Sequence, residues 1–177
     1  MQRKLIAIAT ALALIGVSVL PALAIGVRIG GVNWSLGSLV ADGKLKITEG
    51  HPEDLHVILH AEGDAEVTCS GDDDDSDDDR HSAQQRVHVT ASGSTIVPAG
   101  DFNHRGVGRF HVETGAPELP DGFHCGEGTP VVGFVSWSSS RLSVEDVHNV
   151  ELTRQEYVCK IKHGGVNCRP KQRHDDD

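Results

Sequence analysis

From residue 32 onward, apolar and polar side chains alternate along most of the chain. Val32, Trp34 and Leu36 point one way, with Asn33 and Ser35 between them. Leu45 and Ile47 alternate with Lys44, Lys46 and Thr48, and Leu55, Val57, Leu59 and Ala61 with His56, Ile58 and His60. The period continues through Ala65, Val67 and Cys69, then Val87, Val89 and Ala91, then Phe110 and Val112. It resumes from Val131 to Trp137 and at Leu142 and Val144. Val150 and Leu152 open a last long run through Tyr157, Cys159 and Ile161. Successive side chains of a strand leave opposite faces. A two-residue period rich in β-branched residues therefore predicts strands with one face buried. Few stretches carry a helical period.

Turn chemistry interrupts these runs. Gly50-His51-Pro52, Gly63-Asp64, Ser92-Gly93, Pro98-Ala99-Gly100, Pro120-Asp121-Gly122 and Gly128-Thr129-Pro130 combine positive-φ glycine, fixed-φ proline and locally capping aspartate. Asp42-Gly43 admits two readings. It is a tight hairpin turn between Val40 and Lys44, or a bulge inside one long strand from Trp34 to Ile47. Roughly eight to ten short strands with such punctuation predict an all-β, antiparallel β-sandwich. The layering expected is immunoglobulin-like, without the Cys…Trp…Cys spacing of antibody domains.

The N-terminus breaks the alternation. Arg3 and Lys4 precede an apolar run from Leu5 to Leu20, followed by Pro21 and Ala22-Leu23-Ala24. A basic start, an apolar middle and a small-x-small end predict a signal peptide over residues 1–24, cleaved after Ala24. The alternative is a retained anchor, and Pro21 cuts the run just where a span would need it continuous. Residues 25–162 then form the sandwich domain, and residues 163–177 a disulfide-closed hairpin end with a polar tail. A secreted, extracellular location follows, with no membrane span after cleavage.

Charge changes the picture of partners. The whole chain has net charge −10, and loss of Arg3 and Lys4 leaves 14 basic and 26 acidic residues, net −12. Such a balance argues against nucleic acid, which needs a positive footprint. Much of the negative charge lies in one segment. Asp72, Asp73, Asp74, Asp75, Asp77, Asp78 and Asp79 fall within an acidic mobile loop over residues 72–85, which offers almost nothing to bury.

Four cysteines in an exported chain predict disulfides. Cys159 and Cys168 flank His163-Gly164 symmetrically, so a two-residue turn there sets them opposite each other. Cys69 then pairs with Cys125. A zinc site is the alternative, but no C-x-x-C pair is present.

Candidate chemistry is sparse. Seven aspartates supply oxygens for Ca²⁺, yet the glycine of a calcium loop does not follow within the run. His56 and His60 share a strand face about 13 Å apart, too far to hold one ion. His88 and His111 fall on polar strand faces, where only strand register decides whether two histidines meet. Asn33-Trp34-Ser35 fits a glycosylation acceptor but sits on an expected strand. Ser136 to Ser140 reads as strand end rather than nucleophile, and the 101–106 loop, from Asp101 to Gly106, gathers polar groups. No G-x-S-x-G, H-E-x-x-H or P-loop occurs. No catalytic, cofactor or metal residue is assigned.

Several stretches resemble a group of short secreted actinobacterial β-rich proteins of uncharacterised function. They are Ser35-Leu-Gly-Ser-Leu-Val-Ala-Asp-Gly-Lys-Leu45, Asp54-Leu-His-Val-Ile-Leu-His-Ala-Glu-Gly63 and Glu66-Val-Thr-Cys-Ser70, followed by Val87-His-Val-Thr-Ala-Ser-Gly-Ser-Thr95 and Gly108-Arg-Phe-His-Val112. The resemblance implies that Asp42-Gly43 is a bulge within a long strand, and it supports the Cys69–Cys125 pairing. The aspartate run and the Cys159–Cys168 end depart from that group. The resemblance transfers no functional residue. The expected function is an exported, non-catalytic binding or surface-associated module with an extracellular or cell-surface partner. The alternatives are a divalent-metal (Ca/Zn) binding protein using the aspartate run and surface histidines, and an extracellular hydrolase.

Overall fold

The computed structural model describes residues 25–35, 38–70, 84–126, 128–162 and 164–172. The expected signal peptide, most of the acidic loop and the last five residues lie outside them. Among the described residues, eight strands form two antiparallel sheets. They are β1 (Gly26–Ser35), β2 (Val40–Glu49), β3 (Leu55–Ser70), β4 (Gln84–Val97), β5 (Val107–Glu113), β6 (Thr129–Glu145), β7 (Glu151–Lys162) and β8 (Gly165–Pro170). One sheet has the order β1-β2-β5 and the other β4-β3-β6-β7-β8. The antiparallel sandwich expected from the two-residue period is the observed architecture.

The alternating apolar set fills the space between the layers. Leu45, Leu55, Val57, Leu59, Val67, Val89, Val112, Leu142 and Val144 are almost wholly buried, while their polar neighbours face outward. Trp137 is 1 % exposed, and Trp34 meets Tyr157 edge to face with ring centroids 4.9 Å apart.

The strands are longer than the turn residues suggest, because three glycines with turn chemistry lie inside strands. Gly63 runs through β3 where β6 bulges at Ser138. A Cβ on Gly63 would press on the Ser136 carbonyl and the Trp137 backbone. Gly93 runs through β4, and its missing side chain lets the Glu113 backbone approach. Gly43 lies in β2 under the Phe110 ring. Glycine inside a strand marks a bulge or a close approach as readily as a turn.

Both readings of Asp42-Gly43 are therefore corrected. The chain reverses between Ser35 and Val40, and Asp42-Gly43 pairs without interruption to His111 and Phe110 of β5. A bulge does exist at this level, but on the partner strand. Register shifts between Gly30 and Asn33 of β1, where Gly31 adopts φ 61°. Buried Thr114 holds the reversal: its Oγ1 accepts from the Leu39 N–H at 3.0 Å, and its own N–H donates to the Leu39 carbonyl at 3.0 Å.

Two disulfides close the frame. Cys69 and Cys125 fasten the long β5–β6 connection to the end of β3, with Cα atoms 5.4 Å apart. Cys159 and Cys168 are direct cross-strand partners with Cα atoms 3.9 Å apart. Lys162 pairs with Gly165, so the connection has two residues as expected. Arg169 and Pro170 belong to β8, pairing with Val158 and Tyr157. At the other boundary, β4 begins at Gln84, two residues early, and the Gln84 amide donates to Glu66 at 3.0 Å.

Candidate binding face

Register, rather than sequence spacing, assembles a basic surface on the sandwich. On the outer face of β1-β2-β5, Arg28 stands opposite Lys46, and Lys44 opposite Arg109. Lys44 and Lys46 are two residues apart on β2, so the four cations occupy adjoining rows. All four are exposed. Among the described residues, none has a carboxylate partner. Like charges set directly opposite each other destabilise a sheet. Across the molecule, three cations do have carboxylate partners: Arg86 meets Asp64 at 3.1 Å, Arg154 meets Glu151 at 2.7 Å, and Lys171 meets Glu156 at 3.4 Å.

The next row of the same face carries hydrogen-bonding groups. Asn33, Asp42 and His111 lie side by side on β1, β2 and β5, and His111 Nδ1 sits 2.7 Å from Asp42 Oδ1. Between this row and the cations lies a shallow depression of about 410 Å³. Gly31, Gly43 and Phe110 lie at its bottom, the Phe110 ring itself turned into the core, and Asn33, Asp42, Lys44, Arg109 and His111 stand around it. Gly30, beside Lys44, leaves the β1 side open, since a Cβ there would meet nothing within 4 Å.

The other sequence-selected groups have structural partners. His88 lies 3.6 Å from Asp64 on the neighbouring strand, so neither His88 nor His111 reaches a second histidine; each meets an aspartate. His56 and His60 stay on the outer face of β3, with His60 lining a second depression near Arg141 and Glu156. The 101–106 loop uses its amide for itself: Asn103 Oδ1 accepts from Arg105 and Val107 at 2.9 and 3.1 Å. Asp146 closes the β6–β7 turn in the same way, accepting from His148 and Val150. Ser136 to Ser140 lie in the middle of β6, an interior strand, and not at a strand end. There Ser138 donates to the Glu62 carbonyl at 3.1 Å, and buried Ser140 lies 3.5 Å from Cys159 Sγ. Among the described residues, no three of His, Cys, Asp and Glu gather as a metal site. Asp72 to Asp79 lie outside them.

The charge balance of the sandwich differs from that of the chain. Eleven of the 26 acidic residues lie outside the described residues, namely the seven of the aspartate run, Glu127 and Asp175 to Asp177. So do Arg3, Lys4, Arg80 and Arg173. The described sandwich therefore holds 15 acidic and 12 basic residues, close to balance. A basic face on it is not submerged in the overall negative charge. Sequence reasoning missed this face. Lys44 and Lys46 were visible as outward positions of one strand, but Arg28 and Arg109 join them only through pairing between strands distant in sequence.

No family model, curated protein or solved structure matches the chain.

Proposed function

We propose that this protein is an exported, non-catalytic binding module that meets its partner with the outer face of β1-β2-β5. The observation that carries the reading is the gathering of Arg28, Lys44, Lys46 and Arg109, none of them with a carboxylate partner among the described residues, beside a depression. Two like-charged cross-strand pairs are a stability cost that a bound anion relieves. Export is supported by the layout of residues 1–24 and by two disulfides, which persist in oxidising compartments. An immunoglobulin-like arrangement is supported by the interlock of β2 with β5 and β3 with β6 across two layers. Rigid sandwiches of this kind commonly act as scaffolds for binding surfaces.

Co-sedimentation with isolated envelopes of the producing cell tests the reading. The protein is expected to pellet with the envelope, and the Lys44→Ala/Arg109→Ala double variant to remain largely in the supernatant. Equal pelleting of both proteins, or a robust hydrolytic activity lost on changing one polar loop residue, overturns it.

A further inference from the structure

We infer that the depression between Gly31, Gly43 and Phe110 is a subsite for an acidic sugar residue of an anionic glycan, with its carboxylate held by Lys44 and Arg109. The inference rests on the reading of this face as the contact surface and names the chemistry it takes. Three observations converge. The first is charge. Lys44 and Arg109 are direct cross-strand neighbours with no carboxylate partner among the described residues. Two cations at that separation can share one bidentate anion, and a guanidinium fits a planar carboxylate with two parallel hydrogen bonds.

The second is shape. The β1 positions beside Lys44 are Gly30 and Gly31, and neither would have a neighbour for a Cβ within 4 Å. The floor is therefore bare backbone, and the Phe110 ring lies buried beneath Gly43 on the core side. A bare floor of about 410 Å³ accepts a ring rather than a point ion. The third is the hydrogen-bonding row. Asn33, Asp42 and His111 offer both donors and acceptors at one side of the floor. An inorganic anion presents acceptors only and has no use for the Asp42 carboxylate. A sugar hydroxyl can donate to it. Arg28 and Lys46, one row away on the opposite side, lie where the next acidic residue of a polymer would pass.

Lys171, Arg169, Lys160 and Lys162 make a second basic cluster on the outer face of β7 and β8. There Glu156 already takes Lys171, and the depression that holds Lys160, Lys162 and Arg169 is lined by a single amide, Asn167, with no carboxylate or histidine among its described residues. It does not reproduce the combination.

Calorimetric titration of the full chain with oligogalacturonate, polyphosphate and a neutral galacto-oligosaccharide tests the inference. Oligogalacturonate is expected to bind at low salt and the neutral sugar to give no heat. Lys44→Ala/Arg109→Ala is expected to weaken oligogalacturonate binding by about tenfold or more. Gly30→Phe sets a ring beside Lys44 at the edge of the floor without changing charge. It should weaken oligogalacturonate binding to a similar extent and leave polyphosphate binding unchanged. Unfolding midpoints of both variants report whether the fold is retained. If Gly30 proves intolerant, Asn33→Leu serves as the second charge-neutral variant.

Polyphosphate binding as tight as oligogalacturonate, with Gly30→Phe silent towards both, removes the sugar subsite and leaves the contact face standing. Salt-sensitive self-association lost on deletion of residues 72–79 assigns the face to a second copy and overturns the inference. Absence of any anion binding, together with envelope pelleting insensitive to Lys44 and Arg109, removes both readings.

Discussion

Tyr157 is the single tyrosine of the chain, buried to 4 % exposure against Trp34, with its hydroxyl donating to Gln155 at 3.1 Å. Burial pushes its phenol up from 10.0 to about 12. Below pH 10 the phenol is neutral in both folded and unfolded chains, and stability is intact. Above it the unfolded chain loses the proton first. Stability therefore falls as pH rises from about 10 to about 12, by roughly 2–3 kcal/mol in all. Tyr157→Phe should remove that alkaline loss. Tyrosinate absorbance reads the titration directly, and an ordinary phenol value would refute the prediction. Thr114 offers a second test at this scale. Thr114→Val leaves the Leu39 N–H buried without its acceptor, at a cost of about 1–3 kcal/mol, measurable by urea unfolding.

Among the elements, β4 and β5 touch through a glycine. A Cβ at Gly93 would run into the Glu113 carbonyl, whereas one at Gly100 would meet nothing within 4 Å. Gly93→Ala should therefore destabilise by about 2 kcal/mol or more, and Gly100→Ala by less than about 0.5 kcal/mol. Equal unfolding midpoints for the two would contradict the close approach. The β7–β8 hairpin depends on a different device. It forms a sheet edge, and its disulfide joins direct cross-strand partners against buried Ser140. Replacing Cys159 and Cys168 together by serine should cost about 3 kcal/mol, the loop-closure entropy of a short ring. The Cys69–Cys125 bridge spans 56 residues, and its loss should cost about 4 kcal/mol. A denaturant series with both double variants ranks them.

At the scale of the molecule, the separation of charge matters most. A nearly balanced sandwich carries a basic face, while seven aspartates lie together in the segment joining β3 to β4. Deleting residues 72–79 changes the net charge of the full chain from −10 to −3. The deletion should leave the unfolding midpoint close to that of the parent. It should strengthen binding of an anionic probe at low salt, by relieving repulsion that salt screens over about 10 Å. Affinity measured against ionic strength checks this. A deletion variant that binds more weakly than the parent would contradict it.

The two-residue period determined the class of fold, which side of each strand is buried and the hairpin that closes Cys159 on Cys168, because these depend on local spacing along the chain. Pairing between distant segments was decided only in three dimensions. Gly43, Gly63 and Gly93 carry turn chemistry in sequence, yet each lies inside a strand to admit a ring or a backbone from elsewhere. The candidate face was invisible for the same reason. Arg28, Lys44, Lys46 and Arg109 come from three strands, and one residue of slip in either register would scatter them.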